Sequence, residues 1–149
     1  MAGHCHACLV TCEDYRLHRR PDGRDMIAQF VAGLGCDCDV ITRGGSIRDL
    51  VDDPEGFGAP LLRDLRVSVE LHAIKTIYLI NHEDCGAYDD CSFASRDDEL
   101  TRHRADLQEA AETLEKMFPG VTVVTYLSEL TAGSDDDYCQ PRQVGGATV

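Results

Sequence analysis

The chain has no tryptophan, and aromatic residues make up only 6% of its 149 positions. Lysine occurs only at Lys75 and Lys116, and the 14 basic residues face 27 acidic ones, a formal net charge of −13. Nucleic acid and anionic membrane surfaces both demand clustered cations, so neither is an expected partner. No apolar run approaches the roughly 20 residues of a membrane span, which excludes a transmembrane helix. The opening "MAGHCHACLV" lacks the basic start and long apolar middle of an export signal, so a cytoplasmic location is expected. Repeats and low-complexity tracts are also missing. Acid-rich, lysine-poor surfaces suit concentrated salt, and GC-rich coding gives a similar bias.

What the chain does contain is cysteine, eight in all. Without export, thiols serve metals or redox chemistry more often than disulfides. The apolar content of 43% is that of a globular protein, and the length suits one domain. Short apolar strands are expected at "HACLVTC", "CDCDVIT", "KTIYLIN" and "VTVVTYL". Helical spacing appears in "DGRDMIAQFVAGLG", in residues 60–73 and in "DELTRHRADLQEAAETLEKMF". Strands alternating with helices imply a three-layer α/β domain around a four-stranded, mainly parallel sheet. This domain is expected over residues 1–131, with 132–149 a polar tail or dimer arm.

In such a sheet ligands gather at the carboxyl ends of the strands. Cys12 closes the first strand, Gly44 and Gly45 follow the second, and His82 and Cys85 follow the third. Two thiols and one imidazole are three of the four ligands of a tetrahedral zinc, leaving one position open. Asp14 lies two residues beyond Cys12, and Arg16 two further can hold that carboxylate in a forked pair.

These residues carry a family resemblance. "CEDYR" and "HEDCG" resemble the Cys-x-Asp-x-Arg and His-x-x-Cys-Gly motifs of the β-class carbonic anhydrases, and the similarity runs through "VITRGGS" to "TIYLINHEDCGAY". The resemblance implies Cys12, His82 and Cys85 as zinc ligands and Asp14 and Arg16 as the dyad that governs the fourth position. It implies reversible hydration of carbon dioxide to bicarbonate, with zinc lowering the pKa of its water so that hydroxide attacks carbon. Gly45 would let substrate approach the backbone, and the assembly would be a homodimer or higher homo-oligomer. Three features depart from the pattern. No N-terminal helical arm is expected ahead of the first strand, "TRGGS" replaces a frequent Arg-Asn-Ala-Gly-Gly, and Tyr15 fills the middle dyad position, where a bulky ring would constrain the loop. Two alternatives stay open: a zinc hydrolase of carbonyl sulfide or carbon disulfide, and a non-catalytic zinc-binding module.

Simpler expectations attach to the remaining features. "HCHAC" is read as a lead into the first strand rather than a second metal cluster, and Cys36 and Cys38 as small hydrophobes. Cys91 and Cys139 carry no expected role. His103 is expected on a solvated helix face, His72 at a helix end without a catalytic role, and the acidic run 135–137 as a solvated tail. His18, Arg19 and Arg20 either attract an anion or pair with carboxylates.

Overall fold

The computed structural model describes residues 5–53 and 55–148. In chain order these form β1 (Ala7–Cys12), α1 (Met26–Leu34), β2 (Cys38–Arg43), α2 (Arg48–Val51), α3 (Gly58–Arg66), β3 (Thr76–His82), α4 (Arg96–Met117), β4 (Thr122–Ser128) and β5 (Arg142–Gly145). The sheet order is β2-β1-β3-β4-β5. The first four strands pair in parallel and β5 runs antiparallel to β4. The sheet therefore has five strands, not the expected four. β5 was not expected because a four-residue polar edge strand has no apolar alternation to mark it. Within segment 132–149, Arg142–Gly145 joins the sheet of its own chain.

β1 is buried at every position and β3 at all but its first, as befits inner parallel strands covered on both faces. Alternate side chains divide between two cores. Cys8, Val10, Ile77, Leu79 and Val123 pack with Leu61 and Leu65 of α3 and Leu107 and Leu114 of α4. Ala7, Leu9, Tyr78, Ile80 and Val124 pack with Met26 and Ile27 of α1. The helices thus lie on opposite faces, giving three layers.

Local chemistry sets the helix ends. Asp25 Oδ1 accepts from the Ala28 amide at the start of α1, and Gly35 closes it in the left-handed region at φ 67°. Ser95 caps α4 by accepting from the Asp98 amide, and Asp97, Asp98 and Glu99 follow in the first turn, where the helix dipole favours acids. The expected helix over 60–73 is shorter: α3 ends at Arg66 and widens into a π turn over Val67–Leu71. Ala73, expected on the apolar stripe with Leu61, Leu62, Leu65 and Val69, ends exposed.

The strand order places the site. From central β1 the chain passes to β2 on one side and then returns to β3 on the other, so the carboxyl ends of β1 and β3 flank a switch point where a crevice opens. Cys12 is the last residue of β1 and His82 the last of β3.

Candidate metal centre

Cys12, His82 and Cys85 meet at this switch point. One ligand atom from each lies within 4.8 Å of the others, and all three residues are buried. The two sulfurs are 3.9 Å apart. The Cys12 thiol is drawn well below its ordinary range, first by the hydrogen bond from the Cys85 thiol and then, against the opposing effect of burial, by His82. The same contact and burial push Cys85 up. The pair therefore favours a single thiolate on Cys12 until a cation replaces the remaining proton.

His82 has a defined orientation. Its Nδ1 lies 2.9 Å from the Glu83 carbonyl and 3.0 Å from the Tyr138 hydroxyl. A carbonyl only accepts, so Nδ1 carries a hydrogen, and in the neutral ring Nε2 is the nitrogen left to offer a lone pair. Nε2 is buried and has no hydrogen-bond partner among the described residues. An unpaired buried acceptor costs about 1–3 kcal/mol. Two soft thiols and this lone pair are a donor set suited to zinc.

Asp14 caps the short 3₁₀ turn Tyr15–Leu17 and is gripped by Arg16. Arg16 Nε donates to Oδ1 at 3.0 Å and Nη2 to Oδ2 at 2.7 Å, while the Arg16 amide donates to Oδ1 at 2.9 Å. Burial works against ionisation of Asp14, but these bonds together outweigh it and hold the carboxyl below its usual range. Arg16 is itself held by Asp84, whose Oδ2 and carbonyl it reaches at 2.8 and 2.9 Å, and by the Asp135 carbonyl at 3.0 Å. Tyr15 does not wedge the dyad: its ring is 67% exposed, with the Arg20 guanidinium 5.3 Å from its centroid.

Gly45 has φ 77°, and a Cβ there would lie 2.9 Å from the Cβ of Ala87, two residues beyond Cys85. The turn after β2 therefore closes on the Cys85 loop only without a side chain. Arg43 holds that turn through Asp49 and the Phe57 carbonyl. A cleft of about 210 Å³ reaches Cys85 and is lined also by Asp84, Tyr88, Asp89, Ser92, Phe93 and Glu99.

A family model described as "Putative carbonic anhydrase" matches residues 2–130. The chain belongs to that family. An uncharacterized protein of Rickettsia conorii is 28% identical over 127 residues, covering 82% of this chain but 66% of that protein's length. One from Rickettsia bellii is equally similar, with 75% of its length covered. Among solved structures, a tetrameric β-carbonic anhydrase of Sordaria macrospora matches with a TM-score of 0.63 at 12% identity, over 98% of this chain and 84% of that one. Carbonic anhydrase from Streptococcus mutans matches at 0.59 and 18% identity, over 97% and 84%. The fold is that of the β-carbonic anhydrases.

Several expectations need correction. His103 is fully buried rather than solvated. Its Nδ1 lies 3.2 Å from the amide nitrogen of Asn81, and its ring leans on Tyr88. Tyr88 in turn donates to Asp106, which Arg102 also binds, so a polar cluster packs beside the end of β3. The acidic run 135–137 is not a loose tail: Arg16 binds the Asp135 carbonyl, Arg20 holds Asp136, and Arg24 holds Asp137. His18 Nε2 bonds the Cys12 carbonyl. Cys12, His82 and Cys85 form the only such cluster of potential metal ligands among the described residues. Tyr138 and Glu83 were not anticipated. Tyr138 lies 56 positions from His82, with no spacing to announce it, although Glu83 sits inside the quoted "HEDCG".

Proposed function

We propose that this chain is a zinc enzyme that catalyses the reversible hydration of carbon dioxide to bicarbonate. The observation that carries the reading is the meeting of Cys12, His82 and Cys85 at the β1–β3 switch point, with the Asp14–Arg16 pair two residues beyond Cys12. When bound, zinc supplies a Lewis acid that makes a coordinated water acidic near neutral pH. Cys12 and Cys85 would hold the ion as thiolates and His82 through Nε2, their burial excluding bulk water. The anionic Asp14 accepts a hydrogen bond from the attacking water and orients its lone pair toward carbon. Arg16 holds that carboxylate in a forked pair and would keep it for the water rather than for the ion. Gly45, which packs against Ala87 of the Cys85 loop, would form part of the substrate-side wall.

The same residues would serve hydrolysis of carbonyl sulfide, which is why the test includes it. Eight free cysteines suit a reducing cytoplasm, and no helix is long and apolar enough to cross a membrane. The tetrameric relative supports a homodimer or higher homo-oligomer. Zinc content and stopped-flow hydration should be measured on the same preparation. One zinc per chain with fast hydration is expected, and both should be lost in Cys85→Ala and His82→Ala. Full zinc in both variants overturns the ligand assignment. Zinc-loaded protein that hydrolyses carbonyl sulfide but leaves carbon dioxide untouched changes the substrate. Activity on neither makes this a binding module.

A further inference from the structure

Beyond residue 130, where the family match ends, the chain forms a tight excursion from the end of β4. Leu130 and Tyr138 face one another in an isolated antiparallel bridge. The Thr131 amide donates to the Asp137 carbonyl and the Cys139 amide to the Glu129 carbonyl, at 2.9 Å each. Ser134 Oγ accepts from the amides of Asp136 and Asp137, which closes the turn. Arg16, Arg20 and Arg24 then hold three successive aspartates, as described above. Single exposed pairs of this kind are individually weak, but here they act on one short turn with its own backbone bonds. The result is that Tyr138, only 8% exposed, is delivered against His82.

We propose that Tyr138 is a positioning residue for the metal centre, fixing His82 in the tautomer and ring orientation that present Nε2 to the ion. This rests on the zinc reading above. The phenolic hydroxyl donates to the Glu83 carbonyl at 2.9 Å, which leaves its oxygen free to accept from His82 Nδ1 at 3.0 Å. Glu83 O, Tyr138 Oη and His82 Nδ1 thus form a closed triangle with one consistent set of hydrogens. The tyrosine ring also meets the imidazole edge-on, with centroids 5.4 Å apart, so rotation of His82 about its Cβ is blocked as well as disfavoured. The other side of the ring system contacts the dyad: the Arg16 guanidinium lies 5.3 Å from its centroid. One side chain therefore braces both a ligand and the arginine that restrains Asp14. Glu83 sets the height of this arrangement, since its carboxylate is bound by Arg96 and accepts from the Leu130 amide at 2.8 Å.

The test is Tyr138→Phe, which keeps the ring and removes the hydroxyl. Zinc affinity, read by competition with a chromophoric chelator, should fall about tenfold, the lower end of what loss of a partner to a metal-bound histidine costs. The melting temperature of the metal-free protein should match the parent. Parent-like zinc affinity overturns the positioning role, as does a loss of affinity matched by loss of metal-free stability. Should the variant fail to fold, nitrogen NMR of the zinc-loaded parent decides, with protonated Nδ1 and metal-bound Nε2 on His82 expected and the reverse assignment overturning the proposal. A parent that binds no zinc overturns the functional reading and this role together, whereas an unaffected Tyr138→Phe leaves the functional reading intact.

Discussion

Arg16 makes six side-chain hydrogen bonds that leave little of its guanidinium free, to Asp14, Asp84 and the Asp135 carbonyl. Such a saturated fork fixes the direction of Asp14 more tightly than a lysine would. Removing it in Arg16→Ala frees the carboxylate to occupy the metal, so hydration near neutral pH should fall by about 10- to 100-fold with zinc content unchanged. Raising the pH should restore part of the rate as hydroxide displaces the carboxylate. Asp14→Ala should lose a similar factor without that recovery. Rate against pH for the parent and both variants, with zinc measured in parallel, separates these outcomes, and parent-like profiles in both would remove the dyad from the mechanism. At this scale the meeting of Cys12, His82 and Cys85 was legible because their spacing at two strand ends is local. Tyr138 was not, because only the folded turn over residues 130–138 brings it to His82.

Element by element, the strands and α4 were readable from periodicity, and the failures have physical causes. The α4 residues Leu100, His103, Leu107, Ala110 and Leu114 share one buried stripe at helical spacing. The flanking Arg102 and Arg104 suggest a solvated face for His103, although its position on the stripe puts it inside. Burial pushes its pKa down to about 3 from 6.5, with His82 and Arg102 adding to the effect. Glu99 Oε1 lies 3.5 Å away, without hydrogen-bond geometry, and does not reverse this. The folded state keeps His103 neutral while the unfolded chain takes up a proton below 6.5, so stability is present above that pH and lost as pH falls toward 3. The loss from this group approaches about 1.4 kcal/mol per pH unit within the window. Denaturant unfolding at pH 6.5, 5.5 and 4.5 should therefore show a shallower decline for His103→Gln than for the parent. Parallel declines would mean that His103 is protonated in the native protein.

For the molecule as a whole, the α/β class and the edge that carries the site followed from alternation of strands and helices. The fifth strand did not, since β5 gains its place from pairing with β4 rather than from its own composition. Assembly is governed by a different quantity, the net charge of −13. Two such protomers repel over distances set by ionic strength, with a screening length of about 10 Å at 0.1 M salt and about 3 Å at 1 M. Against that repulsion stand the outer edges of β2 and β5, the terminal strands of the sheet, and the exposed apolar rings of Tyr15 and Phe57. The first of these rings lies within the dyad turn and the second beside the turn after β2, so a partner covering them would also shelter the metal centre. Apolar contacts keep their strength as salt rises while charge repulsion fades. Light scattering at micromolar protein should therefore give a mass of a dimer or more, with the larger species gaining population between 0.05 and 0.5 M sodium chloride. A mass of one chain at every salt concentration would refute the oligomer, and the site would then have to work with Tyr15 and Phe57 open to water.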